Sequence, residues 1–294
     1  MRRDSSLACF VPGAPLYLIL LAIGLAGCIS PWKMREIKRL PETAPLSRLV
    51  AAHRANINFG LPDNSLPAIH EAIRYGVAHL EVDVRQSTAG ELFLFHDGSL
   101  NGSNYHSPRA LCGRSVQELS HDELRSVRLD SAGTIHIPLF SEALDTISPH
   151  HVTLQVDLKG ESDQLAEAVV QAILRKGALD RCVVQFRNLD RMQTMLERYP
   201  TLRALARCKN EECVTHALNI GAQVIELEGW ASASAIESSH SERVRVLVNI
   251  AHPFYDNPKV WALLRSRGID IIMTDHAACI DNAPDHIPAQ CLSL

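Results

Sequence analysis

Two acidic residues lie two positions apart in a strand-like run, residues 79–85, and a histidine follows a second such run at residues 92–95. Alternate side chains of a β-strand share a face, so Glu81 and Asp83 are predicted to point to the same side. Paired carboxylates are typical ligands of a hard cation, and His96 suits proton transfer near neutral pH. The pattern favours metal-assisted acid–base chemistry, although a solvated strand face with an incidental ion pair would have the same sequence.

The rest of the chain predicts the scaffold that positions these groups. Apolar and β-branched runs alternate with stretches of helical periodicity. The predicted strands are residues 48–52, 79–85, 152–158, 182–186, 202–206, 223–227, 244–249 and 270–274. In a chain of 294 residues, 46% of them hydrophobic, this alternation predicts a single α/β domain, a (β/α)8 TIM barrel. An open doubly wound sheet is the alternative, but no GxGxxG motif follows the first strand.

Charged residues collect at the carboxyl ends of the first three predicted strands, where TIM-barrel enzymes carry their active sites. His53 and Arg54 follow the first strand, the acidic pair ends the second, and Asp157 and Lys159 end the third. Buried charges are costly without a partner, and a divalent cation would supply one. Arginine binds an oxyanion through two parallel hydrogen bonds and lysine binds it as a point charge. Together these groups predict a site for a phosphate bridged to a metal.

Six motifs, in order and with fitting spacing, resemble those of the glycerophosphodiester phosphodiesterases. They are His-Arg at 53–54, Asp-Asn-Ser at 63–65, Leu-Glu-Val-Asp-Val at 80–84, Phe-His-Asp at 95–97, Ile-Pro-Leu at 137–139 and Val-Asp-Leu-Lys at 156–159. The run at 268–275 resembles the final-strand signature of that family. The resemblance extends from about residue 50 to residue 275, and it implies a barrel related to the phosphatidylinositol-specific phospholipases C.

The resemblance also implies a reaction and a set of site residues. The expected reaction is metal-dependent hydrolysis of glycerophosphodiesters, as in the turnover of lipid headgroups, to an alcohol and glycerol phosphate. It would use one divalent cation, Ca²⁺ or Mg²⁺. The implied set is Glu81, Asp83 and Asp157 for the metal, His53 and His96 as general base and acid, and Arg54 and Lys159 for the phosphate.

Some features of the sequence leave other readings open. Ala55 stands where the family usually has glycine, and Asp157 where it usually has glutamate. Two further functions are compatible with the motifs: phospholipase-like cleavage of intact or lyso-phospholipids, and a lipoprotein that binds phosphodiesters with weakened catalysis. Glu226 and Glu228 share a face at the end of the sixth predicted strand. They either contact the substrate or face solvent.

The N-terminal segment is predicted to be a targeting signal. Two arginines precede an apolar run at residues 16–26, and the sequence Leu-Ala-Gly-Cys at 25–28 resembles the bacterial lipobox, in which the cysteine, here Cys28, is lipidated. Ile29, in place of the aspartate associated with inner-membrane retention, favours anchoring to the outer membrane on the periplasmic side of the cell envelope. An uncleaved membrane anchor is the alternative. The predicted organisation is a signal peptide at 1–27, a tether at 28–47, the barrel at 48–285 and a tail at 286–294.

Composition limits the partners. The formal net charge is −4 and only 5% of the residues are aromatic, so neither a basic patch nor a stacking platform for nucleic acid is expected. The expected partners are the diester substrate and a membrane.

Six cysteines remain after Cys28, an even number that permits disulfides in an exported protein. Cys208 and Cys213 are predicted to form a local pair.

Overall fold

A closed barrel of parallel strands forms the body of the protein. The computed structural model describes residues 49–57, 60–101, 105–228, 231–252 and 255–280. The strands in these residues are β1 Leu49–Ala52, β2 His79–Gln86, β3 Leu92–Leu94, β4 Thr153–Leu158, β5 Cys182–Phe186, β6 Ala204–Cys208, β7 Val224–Leu227, β8 Arg245–Asn249 and β9 Ile271–Thr274. β1 pairs in parallel with both β2 and β9, which closes eight strands into a ring, and β3 lies antiparallel on β2. The predicted TIM barrel is confirmed.

Helices connect the strands as the periodicity predicts. Among the described residues they are α1 Leu66–Arg74, α2 His121–Ser126, α3 Phe140–Ile147, α4 Asp163–Arg175, α5 Leu189–Arg198, α6 Glu211–Asn219, α7 Ala233–Ser241, α8 Pro258–Ser266 and α9 Ala277–Ile280. The ends of α1 follow from local chemistry. The Ser65 hydroxyl accepts a hydrogen bond from the backbone N–H of Ala68, and Gly76 has a φ of 80° just beyond the helix.

The sequence predicts one helix near residues 115–127, in the segment between the second and third predicted strands, and this prediction is wrong. A 3-10 turn, Val116–Glu118, comes first, and α2 begins only after an extended residue, Leu119. The break has a local cause, because the Ser120 hydroxyl accepts from the backbone N–H of Glu123 while the Glu123 carboxylate accepts from the backbone N–H of Ser120. This capping box starts a new helix at that point.

The segment between β2 and β4 has a small core of its own beside the barrel. Its buried residues are Phe93, Phe95, Leu100, Tyr105, Leu111, Val116, Leu119, Leu124, Val127, Leu129 and Ile137. Since Phe95 directly precedes His96, this packing sets the position of one predicted site residue.

β6 runs from Ala204 to Cys208, two residues later than predicted. Arg207 lies inside the strand, in register with Glu226 of β7, and its Nε is 3.4 Å from Glu226 Oε1. A charged residue normally indicates the end of a buried strand. Here the neighbouring strand supplies the opposite charge, so the strand continues through it.

The interior of the barrel is polar on one side. His79 Nε2 is 2.9 Å from Gln155 Oε1, and Gln155 Nε2 donates to Gln185 Oε1 at 2.7 Å, so a hydrogen-bonded chain crosses β2, β4 and β5. Another part of the interior is an apolar cluster of Ala51, Val183, Leu205, Val224, Leu247, Ile271 and Met273. The polar side lies on the strands that carry the acidic residues.

The predicted disulfide between Cys208 and Cys213 is confirmed, with the Cα atoms 5.4 Å apart. Each of Cys112 and Cys279 also takes part in a disulfide, and Cys182 is buried with a free thiol.

None of the helices in the described ranges is long and apolar enough to span a membrane. The signal peptide, the tether, Cys28 and the C-terminal tail lie outside the described residues, so those predictions stay predictions.

Candidate active site

Three buried carboxylates meet at the carboxyl end of the barrel. Glu81 and Asp83 lie on β2, and Asp157 lies beside Asp83 in the register of β4. Each offers an oxygen within 4.8 Å of the other two, and all three residues are at most 4% exposed. Burial, together with the charge of Asp83, raises the pKa of Glu81 well above its usual range. An all-oxygen set with this excess of negative charge fits a hard divalent cation.

The positively charged side chains of Lys159 and Arg54 balance part of this negative charge. Lys159 Nζ is 2.9 Å from Asp83 Oδ1 and 2.7 Å from Asp157 Oδ2. Burial alone would raise the pKa of Asp83, but the positive charges of Lys159 and Arg54 hold it below its usual range. Asp83 is therefore ionised, and Glu81 is the carboxylate that most lacks a positive partner.

Arg187 is a site residue that the sequence reasoning missed. Its Nη1 and Nη2 donate to the two oxygens of Asp157 at 2.8 and 2.9 Å, a two-pronged ion pair. The residue directly follows β5. The rule that applied to the first three strands, a charged residue just past a strand end, also points to Arg187.

His53 follows β1 and is held by a residue from the other end of the chain. Its Nδ1 lies 2.9 Å from Asp275 Oδ1, and Asp275 directly follows β9. Burial alone would lower the pKa of His53, but the hydrogen bond to Asp275 and the charge of Glu81 raise it above its usual value. Asp275 belongs to the run at 268–275 that resembles the family's final-strand signature. Nothing in the sequence indicated that this residue pairs with His53.

The turn after His53 brings the backbone against the carboxylates. Arg54 and Ala55 have φ values of 52° and 56°, in the left-handed region where glycine is favoured. This conformation directs the backbone N–H of Arg54 to Glu81 Oε2, at 2.7 Å. Ala55 is fully buried. The backbone conformation thus explains why the family usually has glycine at this position.

The Arg54 side chain reaches two acidic groups. Its Nη1 donates to Asp63 Oδ2 at 3.1 Å, and its Nε lies 3.5 Å from Asp83 Oδ2. Asn64 fixes the same aspartate, because its Nδ2 donates to Asp83 Oδ2 at 2.7 Å and its Oδ1 accepts from the Asp83 backbone N–H at 2.9 Å. The Asp-Asn-Ser motif at 63–65 therefore orients Arg54 and Asp83, and its serine caps α1.

His96 is more exposed than His53. Its side chain is 41% exposed, and its Nδ1 lies 2.9 Å from Asp97 Oδ1. It lines two cavities. The first, here called the mouth cavity, has a volume of about 440 Å³ and is also lined by His53, Arg54, Glu81, Asp157 and Lys159. The second, here called the side cavity, has an apolar wall of Leu61, Pro62, Phe95, Tyr105 and Leu129, and its other wall is polar, with Arg54, Asp63, Asn64, His96 and Asp97.

All seven predicted site residues are thus brought together at one end of the barrel. Six of them line the mouth cavity, and the seventh, Asp83, is bonded to Lys159 beneath it. The model of the glycerophosphoryl diester phosphodiesterase family matches residues 53–278, a range that contains the whole site.

The chain belongs to this family. A curated relative, glycerophosphodiester phosphodiesterase 1 of Rattus norvegicus, is 26% identical over 168 residues, which are 55% of this chain and 47% of the rat protein. The chain therefore spans about half the length of the curated relatives it matches.

Solved structures with the same fold include two from bacteria. An Oleispira antarctica phosphodiesterase, in complex with the product sn-glycerol-3-phosphate, superimposes with a TM-score of 0.69 at 18% identity, over 82% of this chain and 98% of that chain. A glycerophosphoryl diester phosphodiesterase from Parabacteroides distasonis gives a TM-score of 0.64 at 22% identity, over 81% of this chain and 90% of that chain. These likenesses support the fold assignment of this family member.

Proposed function

We propose that the protein hydrolyses glycerophosphodiesters to glycerol phosphate and a free alcohol. The observation that carries the proposal is the mouth cavity itself, in a member of this family. Two of the three clustered carboxylates, both predicted catalytic histidines, Arg54 and Lys159 line it, and the third carboxylate, Asp83, pairs with Lys159. No other described cavity combines an acidic cluster with two histidines.

The proposal includes one divalent cation, Ca²⁺ or Mg²⁺, held by Glu81, Asp83 and Asp157. When bound, the cation neutralises charge on the phosphate oxygens and makes phosphorus more susceptible to attack. Glu81 supports this assignment, because burial and the charge of Asp83 raise the pKa of its carboxyl group and a cation would offset both effects. Arg54 and Lys159 add positive charge on the rim of the same cavity, where they would bind and orient the phosphate.

The two histidines have different surroundings, which suit different tasks. Asp275 binds His53 through Nδ1 and so leaves Nε2 to take the proton of the attacking oxygen, either a glycerol hydroxyl or a water. His96, held through Nδ1 by Asp97, would give a proton from Nε2 to the leaving alkoxide as its bond to phosphorus breaks. A glycerol hydroxyl would form a cyclic phosphate, which a water then opens to glycerol phosphate with the two histidines in reversed roles. Attack by water would give glycerol phosphate in one step, after which the histidines return to their starting states by proton exchange with solvent.

The side cavity favours one second candidate function. Because one of its walls is apolar and it shares Arg54 and His96 with the mouth cavity, it could hold the first carbons of an acyl chain. Cleavage of lysophospholipids is therefore the second candidate.

We also propose that Cys28 is lipidated and anchors the protein in the cell envelope, a position close to such substrates.

The test is a panel of glycerophosphodiesters, lysophospholipids and phosphatidylinositol, assayed with purified protein in EDTA and after addition of Ca²⁺ or Mg²⁺. Glycerophosphodiesters should be hydrolysed, with activity lost in EDTA and restored by the metal. His53→Ala and His96→Ala should each lower turnover by ~10²- to 10⁴-fold. His216→Ala, an exposed residue of α6, is the control. Full activity in chelator would contradict the metal assignment, and normal turnover in both variants would contradict the acid–base pair.

A further inference from the structure

Half of the mouth cavity has no part in the proposed chemistry. Its far side is built from residues at the ends of β5, β6 and β7, namely Arg187, Arg207, Glu226 and Glu228. Arg187 joins the two halves, since it binds Asp157 directly and lines the same cavity as Glu226 and Glu228. A molecule whose phosphate sits beside Lys159 would therefore extend towards these groups.

Glu226 is the most unusual of them. Its side chain is only 1% exposed, yet one of its two carboxylate oxygens has no hydrogen-bond donor. Its Oε1 lies 3.4 Å from Arg207 Nε, and its Oε2 accepts no hydrogen bond from any described residue. Burial raises its pKa, and the charge of Arg207 opposes that rise. A buried acceptor without a donor destabilises a fold, so selection for stability alone would not favour a glutamate on the cavity wall.

Arg207 is incompletely bonded in the same place. Its Nη2 is 3.2 Å from Glu228 Oε1, but its buried Nε makes no hydrogen bond within the described part of the chain. The partly exposed side chains of Arg207 and Glu228 thus place donors and an acceptor side by side on the cavity wall, with the incompletely bonded Glu226 directly behind them. A hydroxyl group both donates and accepts, and neighbouring hydroxyls on one carbon chain match such a pair.

Other ligand chemistries fit less well. A quaternary ammonium group would be attracted by the glutamates but repelled by Arg187 and Arg207, and it has no hydrogen to donate. A second phosphate or a carboxylate would be attracted by the arginines but repelled by the glutamates. The balanced charge of the wall favours a neutral, hydroxyl-rich group.

We propose that Arg207, Glu226 and Glu228 form the subsite for the alcohol part of the substrate and select a polyol such as glycerol or inositol. This inference rests on the proposed diesterase function and specifies its substrate class. The three residues determine specificity through contact with the polyol, whereas the histidines and the metal set act on the phosphate.

The first test compares substrates on the purified full-length protein. Glycerophosphoglycerol and glycerophosphoinositol supply the polyol, glycerophosphocholine supplies a cationic alcohol, and bis(p-nitrophenyl) phosphate reports the chemistry without either. We expect kcat/KM to be at least about tenfold higher for a polyol diester than for glycerophosphocholine. Equal values would overturn the polyol subsite. Failure to hydrolyse any of the four would overturn the proposed function, and the subsite with it.

The second test uses Glu226→Gln and the more exposed Glu228→Gln, which is less dependent on correct packing. In each, the ratio of kcat/KM for the preferred polyol diester to that for bis(p-nitrophenyl) phosphate should fall by about tenfold, because the polyol loses a charged acceptor. Glu212→Gln, an exposed glutamate of α6, is the matched control and should keep the wild-type ratio. A ratio within about twofold of wild type in both cavity variants would overturn the subsite.

Discussion

Replacing His79 with glutamine should flatten the pH dependence of folding stability. His79 lies inside the barrel, 5% exposed, where burial lowers the pKa of its ring to about 4. It is neutral in the folded protein at pH 5 and above, and its ring N–H is paired with Gln155. The unfolded chain, by contrast, takes up a proton at this residue below pH ~6.5. Acid therefore favours the unfolded state.

The size of the effect follows from linkage between protonation and folding. The contribution of His79 to the free energy of unfolding is complete above pH ~6.5 and falls as the pH drops towards 4, since only the unfolded chain binds the extra proton in that window. With a folded pKa of about 4, the loss between pH 7.5 and pH 5 is about 2 kcal/mol. Glutamine offers an N–H to Gln155 but does not titrate.

The assay is urea unfolding of the full-length, oxidised protein in EDTA, at several pH values from 7.5 to 5. His79→Gln will cost some stability through altered packing, but its deficit relative to wild type should shrink by about 2 kcal/mol on going to pH 5. His70→Gln, at an exposed position of α1, should follow the wild-type curve in parallel. Parallel curves for His79→Gln as well would refute the reasoning that a neutral buried imidazole is part of the barrel interior.

Three other changes test the site. Asp275→Asn should lower turnover by ~10²-fold and move the acid limb of kcat/KM to lower pH, because His53 loses the hydrogen bond that raises its pKa; an unmoved limb would contradict the assignment of His53 as base. Arg187→Met should tighten Ca²⁺ binding by roughly tenfold in calorimetry, since it removes the positive charge that competes for Asp157, and weaker binding would show that Arg187 instead positions that ligand. Cys28→Ser should move the protein from the membrane fraction to the soluble fraction or block its processing, and continued lipidation would exclude the lipobox.

Much of the barrel follows from short-range pattern. β5 and α6 lie at the predicted residues because β-branched runs and helical periods are properties of neighbouring residues. The site residues of the first three strands were also predictable, since each lies within a strand that the pattern locates or directly after it. The break before α2 was not predicted, because a capping box at Ser120 overrides the apolar periodicity around it.

Contacts between residues on distant elements could not be predicted from the sequence. The contact between Arg187 and Asp157 joins residues 30 positions apart, and it depends on the register of β4 and β5. Glu226 shows the same limit, because alternation places it on one face of a strand without saying whether that face meets solvent or the barrel interior. The structure places it in the interior, opposite Arg207, so the solvent-facing alternative is wrong for Glu226.

The contact between His53 and Asp275 determines when the proposed active site is completed during synthesis and folding. The two residues are 222 positions apart, and their strands, β1 and β9, are the first and last of the ring. A nascent chain that lacks β9 already holds all three carboxylates, but it leaves the histidine without its partner. The proposed base is therefore assembled only when the last strand closes the barrel. A chain cut short before residue 275 would lack the partner of His53, so we expect little hydrolysis from it.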